Sequence, residues 1–116
     1  MVLHDSPFAV NVVYEDGSLV LALAGELDIA AVPVLRQAVD ELLSPHLRAV
    51  TLDLATLDFV DVTGLRALLD VKEMVAGVPA EFWLCSPTDR TLMVIRLAGF
   101  VELEVAIRDA STVPAA

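Results

Sequence analysis

Cysteine, aromatic residues and long apolar runs are all scarce in this chain. Cys85 is the only cysteine among 116 residues, which excludes a disulfide framework within one chain and a cysteine-based metal site. Its setting, Glu81-Phe-Trp-Leu-Cys85, indicates a small buried strand residue. Aromatic residues make up 5% of the sequence and apolar residues 57%, so the core must consist mainly of leucine, valine and alanine. The longest apolar candidate, residues 19–24, has the length of a strand and cannot cross a membrane.

Basic residues are scarce as well. Seven lysine and arginine residues stand against seventeen aspartate and glutamate residues, which gives a formal net charge of −10 at pH 7. This charge repels a phosphate backbone, so we expect no direct binding to nucleic acid. It favours a partner with a basic patch, and solubility alone explains it equally well. The N-terminus lacks the basic region and the long apolar stretch of a signal peptide, so we expect a cytoplasmic protein without membrane insertion.

The length and the lack of internal repeats or linkers predict a single domain over residues 1–116. Apolar alternation predicts strands over residues 8–14, 19–24, 49–54, 80–85 and 100–105. Helical spacing predicts helices over residues 33–43, 63–76 and 87–97, the last capped by Ser86 and ended by Gly99, and a short helix or tail over 107–116. The first two strands should pair antiparallel and the later ones parallel. These elements predict an α/β fold with a mixed five-stranded sheet packed with three to four helices.

The most suggestive segment joins the third predicted strand to the second predicted helix. Residues 57–66 read Leu-Asp-Phe-Val-Asp-Val-Thr-Gly-Leu-Arg, which places the Thr63 hydroxyl and the Asp61 carboxylate at a helix N-terminus. Such a terminus has unpaired backbone N–H groups and a partial positive charge, so it suits either a capping oxygen or a phosphate. From the local sequence alone, the favoured interpretation of Thr63 is a structural N-cap, because threonine is an ordinary capping residue.

A second signature, Ala24-Gly-Glu-Leu-Asp28, precedes this segment. The two signatures together, in a chain of this length, resemble the STAS domain family, named for sulfate transporters and anti-sigma factor antagonists, and the likeness covers nearly the whole chain. The resemblance implies that Asp28 ends the second strand and that Thr63 stands at the family's phosphorylation site. Val62 occupies the position where a first hydroxyl residue often lies, so Thr63 is the only hydroxyl of the motif.

The resemblance implies a regulatory protein and not an enzyme. An anti-sigma factor antagonist captures, in its unphosphorylated state, an anti-sigma factor with serine/threonine kinase activity and so frees a sigma factor, until the kinase phosphorylates Thr63. We further expect no cofactor, a monomer or weak homodimer, and a partner-binding surface made of Asp28, Asp61, Thr63, Gly64 and Arg66. No phosphate-cradling glycine motif is present, and the resemblance leaves nucleotide binding without such a motif open. The alternative is a STAS module that does not switch and serves as a structural or regulatory subunit of a transporter complex or stress-sensing scaffold. In that alternative Thr63 is only a helix cap.

Several of these residues have a second interpretation. Asp28 and Asp61 can each cap a helix start as well as contact a partner. Arg66 shares a helix face with Thr63 and can pair with a phosphate or, as the preferred interpretation, with Asp70 at the next turn. A magnesium cage would use the aspartates at strand ends, as in a phosphoacceptor receiver domain, and the candidates are Asp28, Asp53, Asp58 and Asp61. The sequence argues against this cage, because such a domain needs a lysine after its last strand and Lys72 lies mid-helix.

Overall fold

The computed structural model describes residues 2–5 and 7–112. The strands are β1 (Val2–Asp5), β2 (Phe8–Glu15), β3 (Ser18–Leu27), β4 (Ala49–Val60), β5 (Glu81–Cys85) and β6 (Ile107–Arg108). The helices are α1 (Val32–Leu42), α2 (Val62–Val75), α3 (Asp89–Leu97) and α4 (Val101–Val105), followed by a 3-10 turn at Ala110–Thr112. The predicted tail at residues 107–116 is therefore partly strand and partly 3-10 turn, and residues 113–116 lie outside the described part of the chain.

The strands lie in the sheet in chain order, from β1 at one edge to β6 at the other. The pairs β1–β2 and β2–β3 are antiparallel, and the pairs from β3 to β6 are parallel. The predicted α/β class and mixed sheet are confirmed, with β1 as an additional strand outside the predicted hairpin. Helix α2 contacts both α1 and α4, so these helices form a layer against the sheet.

The core is built mainly from leucine and valine, as the composition predicts. Within residues 7–111, Phe8 is the single aromatic side chain among the buried residues. Cys85 is buried at the end of β5, as predicted, and burial together with the nearby Asp53 carboxylate raises the pKa of its thiol. A raised pKa favours the protonated thiol over the reactive thiolate.

The predicted fifth strand over residues 100–105 is wrong, because this segment forms α4. The alternation of valine and leucine with Glu102 and Glu104 imitates a strand, but the structure buries Leu103 and exposes Val101 and Val105. Glutamates in the first turn favour a helix N-terminus, and the Glu104 carboxylate accepts a hydrogen bond from Arg96 Nε at 2.8 Å. The chain then reaches the sheet edge only at β6, which is two residues long.

Helix α3 differs from the prediction at its N-terminal end. Its N-cap is Thr88, whose hydroxyl accepts a hydrogen bond from the Thr91 N–H at 3.1 Å, so the predicted capping role of Ser86 is wrong. Ser86 instead has a positive φ of 53°, which turns the chain out of β5 before the helix begins. Gly99 follows the helix with a φ of 76°, as expected of a terminating glycine.

Strand β4 runs to Val60, well past its predicted end, because two bulges interrupt its alternation. Along β3, Ala22 pairs with Asp53 and Ala24 with Thr56, so β4 contains one additional residue there. The Thr56 hydroxyl stabilises this first bulge by donating to the Leu23 carbonyl at 2.9 Å. A second additional residue follows, because Gly25 pairs with Leu57 and Glu26 with Phe59. Each bulge reverses which residues point inward. A search for strict alternation of apolar and polar residues therefore ends the strand too early.

Asp61 is the N-cap of α2. Its backbone is extended, and its Oδ1 accepts a hydrogen bond from the Gly64 N–H at 2.9 Å. The capping interpretation of Asp61 is therefore confirmed, and the capping interpretation of Thr63 is wrong. Thr63 is the second residue of the helix, after Val62.

Gly64 allows the first turn of α2 to approach the end of β3. A Cβ atom at this position would lie 2.2 Å from the Leu27 carbonyl oxygen and 2.8 Å from a methyl carbon of Val60. No real Cβ tolerates a backbone oxygen at that distance, so any larger residue would push the helix away from the sheet.

We predict that Gly64→Ala lowers the free energy of unfolding by roughly 1–3 kcal/mol, because the added methyl group meets rigid backbone and not a movable side chain. Urea unfolding measures the change. Gly77→Ala is the matched control, since its Cβ would lie 3.3 Å from the Met74 carbonyl oxygen, and it should change stability by less than about 1 kcal/mol. Equal losses in the two variants would contradict the packing argument.

We predict that Asp61→Ala lowers the free energy of unfolding by about 1 kcal/mol through loss of the cap, whereas Asp61→Ser retains most of the stability. Asp58→Ala removes the same charge three residues earlier, where the described part of the chain offers the carboxylate no hydrogen bond, and it should change stability by about 0.5 kcal/mol or less. A serine variant as unstable as the alanine variant would show that the hydrogen bond to Gly64 is not what stabilises this turn.

Candidate functional site

The two sequence signatures meet at one end of the sheet. Leu27 at the end of β3 and Val60 at the end of β4 are paired residues of adjacent parallel strands. Asp28 and Asp61 each follow one of these partners, so they leave the sheet side by side, with the strands about 4.8 Å apart. The packing of Gly64 against Leu27 closes the same junction. We call the two segments that leave the sheet here, residues 28–31 and 61–64, the switch loops.

Asp28 holds the turn that leads into α1. Its Oδ1 accepts hydrogen bonds from the N–H groups of Ala30 at 3.1 Å and Ala31 at 3.3 Å. Its backbone carbonyl also accepts from Ala31 and Val32, whereas the N-cap Ala31 has no capping side chain. Asp28 therefore caps the approach to the helix, which agrees with its structural interpretation. Its contact with a partner stays a prediction.

Thr63 is exposed at the first turn of α2. Asp61 supplies the cap, and the Thr63 hydroxyl makes no hydrogen bond to any described residue. The hydroxyl therefore belongs to a solvent-exposed side chain that the cap does not use. Unpaired N–H groups and the positive end of the helix dipole surround this position. Such an environment stabilises an added phosphate and leaves the hydroxyl open to a modifying enzyme.

Arg66 follows Thr63 by three residues and is exposed on the same side of α2. Its predicted ion pair with Asp70 is wrong. Because α1 packs against α2, Asp70 instead pairs with Arg36, at 2.9 Å between Nη1 and Oδ2. Among residues 2–5 and 7–112, Arg66 has no ion pair, so its guanidinium is available near Thr63. Gly64 is buried, so it shapes the surface from beneath, and its direct contact with a partner stays a prediction.

Exposed apolar side chains at the same end were missed in the sequence analysis. Ile29 is 75% exposed, Val62 is 47% exposed and Phe59 is 43% exposed. Ile29 and Val62 each lie two residues beyond the paired strand ends, and Phe59 pairs with Glu26 one position before them. We call Ile29, Phe59 and Val62 the apolar end patch. The signal in the sequence was an apolar residue directly after each capping aspartate.

Carboxylates dominate the charge around this patch. Residues 25–30 and 57–66 carry four acidic side chains, Glu26, Asp28, Asp58 and Asp61, and Arg66 as their only basic one. The part of the chain that the structure describes contains no group of three or more histidine, cysteine, aspartate or glutamate side chains placed to hold a metal ion. The carboxylates of Asp28 and Asp61 are instead occupied with backbone N–H groups. In the described residues, no helix has both the length and the apolar character that crossing a membrane requires.

Comparison with known proteins gives consistent results. The family model of the STAS domain matches residues 9–113. BtrV of Bordetella bronchiseptica, named a putative anti-sigma factor antagonist, is 30% identical over 88 residues, which cover 76% of this chain and 76% of that protein. RsfB of Mycobacterium tuberculosis, named an anti-sigma-F factor antagonist, is 28% identical over 90 residues, which cover 78% of this chain and 73% of that protein.

The fold also matches a solved anti-sigma factor antagonist. SpoIIAA in its unphosphorylated form superimposes with a TM-score of 0.68 at 22% identity, over 87% of each chain. The phosphorylated form of SpoIIAA, described as a Bacillus cell fate determinant, gives a TM-score of 0.66 at 21% identity, over 87% of this chain and 90% of that one. The family match, the two relatives and the shared fold agree with the paired signatures at the end of the sheet, and the chain therefore belongs to the STAS domain family.

Proposed function

We propose that this protein is an anti-sigma factor antagonist, which binds an anti-sigma factor with serine/threonine kinase activity while Thr63 is unphosphorylated and is released when that kinase phosphorylates Thr63. The observation that carries the proposal is the division of roles in α2, where Asp61 caps the helix and the Thr63 hydroxyl is exposed and unbonded within the described chain. The names of BtrV and RsfB support the class of partner. The two solved states of SpoIIAA support phosphorylation as the form of control.

Docking in the unphosphorylated state would use the switch loops. Their capping bonds hold Asp28 and Asp61 in fixed positions, so little conformational entropy is lost when a partner covers them. The acidic side chains at this end suit an anti-sigma factor with basic groups on its docking surface. Sigma factor release then follows from competition, because the anti-sigma factor is occupied by the antagonist.

Phosphorylation would act by stabilising the free protein and destabilising the complex with the anti-sigma factor. In the free protein a phosphate on Thr63 stays hydrated, at the positive end of the α2 dipole and within one turn of Arg66. In the complex the same group, with roughly −1.5 to −2 charges, would be buried beside Val62 in a close-packed contact. Stripping water from such an ion costs several kcal/mol unless the partner neutralises it, so docking is lost.

The structural-module alternative gives Thr63 the role of a helix cap. Since Asp61 occupies that role, a non-switching module leaves the exposed threonine with no structural function among the described residues. The two hypotheses differ in switchability, which makes the modification of Thr63 the decisive variable.

We predict that wild type and Thr63→Ala retain a kinase-type anti-sigma factor from lysate of the native host, whereas Thr63→Glu loses it by at least about tenfold. Immobilised baits and mass spectrometry of the bound proteins measure this. Ser111→Glu is the matched control, because it adds the same charge at an exposed residue outside the switch loops, and it should bind like wild type. Retention of the same membrane or scaffold proteins by all baits would favour the structural module.

We predict that phosphorylation of Thr63 leaves the fold intact, with amide NMR shifts confined to the switch loops and the first turns of α2. The reason is that the helix N-terminus and Arg66 both favour the added charge, so the thermal midpoint should stay equal or rise. Arg66→Gln should remove any rise in the phosphorylated protein and leave the unmodified protein unchanged. Shift changes spread across the sheet would contradict a switch that acts only through docking.

A further inference from the structure

Phe59 is exposed because of the second bulge in β4. In an uninterrupted strand Phe59 would share a side with Leu57, which is buried. The pairing of Gly25 with Leu57 and of Glu26 with Phe59 leaves Asp58 as an additional residue, and this reverses the alternation. Asp58 and Phe59 are consequently both exposed, and Val60 takes the inward position.

A bulge that turns an aromatic ring outward forfeits burial that the fold could otherwise have used. Bulges of this kind are enriched beside functional sites, where they redirect a side chain. Single exposed apolar residues need no explanation, but Phe59 is joined at this end by Ile29 and Val62. The same bulge turns Val60 inward, where it packs at Gly64, and leaves the Phe59 ring available for contact with a partner.

The charges around the patch define the chemistry of its occupant. Asp58 is the bulged residue itself, and Glu26 is the β3 partner of Phe59; both are exposed. Neither carboxylate has a hydrogen bond or ion pair among residues 2–5 and 7–112, in contrast to those of Asp28 and Asp61, which accept hydrogen bonds from backbone N–H groups. Phe59 thus lies beside two carboxylates that have no partner among the described residues, one along β4 and one across on β3.

We propose that Phe59 of the apolar end patch inserts into an apolar pocket of the anti-sigma factor, and that Asp58 and Glu26 face lysine or arginine side chains at the rim of that pocket. This inference rests on the proposed function and is continuous with its docking surface, because Val62 directly precedes Thr63. Aromatic anchors in desolvated pockets carry much of the energy of protein interfaces. Rim charges mainly set the rate of encounter.

The test uses the purified anti-sigma factor recovered with the wild-type bait, with binding kinetics measured by surface plasmon resonance at about 50 and 300 mM salt. Phe59→Ala should weaken affinity by about 30-fold, mainly through faster dissociation, with an unchanged dependence on salt. Asp58→Asn should slow association several-fold at low salt and flatten the salt dependence, with little effect on dissociation. Phe59→Leu keeps an apolar side chain and should lose less affinity than Phe59→Ala.

Leu97→Ala is the matched control, because Leu97 is 80% exposed at the end of α3, away from the switch loops, and its affinity should stay within about twofold of wild type. If Phe59→Ala binds like wild type while Thr63→Glu still abolishes binding, Phe59 is not an anchor, and the proposed function stands. An equal loss in Leu97→Ala assigns docking to α3 and overturns the anchor as well. If no anti-sigma factor is recovered with the wild-type bait, the proposed function and the anchor both fail.

Discussion

The close approach of α2 to the end of β3 is the constraint on which the site depends. Gly64 meets the Leu27 carbonyl oxygen where no Cβ fits, and this contact fixes the first turn of the helix against the sheet. Leu27 and Val60 are also a pair in the β3–β4 ladder, so the same junction fixes both strand ends. The positions of Asp28, Asp61 and Thr63 all follow from it. The Gly-Glu-Leu-Asp and Asp-Val-Thr-Gly signatures are thus two halves of one packing contact.

Within this junction, the side chains that stabilise the fold differ from the one that we propose is phosphorylated. Asp61 and Asp28 satisfy the backbone N–H groups that begin α2 and the turn before α1. Thr63 stands between a capping residue and a packing glycine and takes neither role. A group that the fold does not use can be modified without cost to the fold, which is a requirement for any switch that must act and then be reversed.

The sequence predicted those parts of the fold where local preference and tertiary environment agree. The hairpin, the helices that begin near Pro33 and Thr63, and the mixed sheet all have strong periodicity, and the structure confirms them. The strand prediction for residues 100–105 failed because a five-residue alternation fits either a strand or a short helix. The burial of Leu103 favours the helix. The prediction that Arg66 pairs with Asp70 failed because Asp70 pairs with Arg36, which lies on another helix.

The position of Thr63 at a helix start was predictable from the sequence, whereas the exposed side chains around it were not, and the bulges of β4 explain the difference. Hydrophobic pattern assigns a side to each strand residue only while the period stays at two, and β4 departs from it twice. Asp58 and Phe59 therefore could not be recognised as exposed neighbours from their spacing alone. Departures from a local rule cost burial, so they persist where another contact offsets that cost. The second departure in β4 exposes Phe59 and turns Val60 inward against Gly64, so it joins the shape of the strand both to the core and to the surface around the proposed switch.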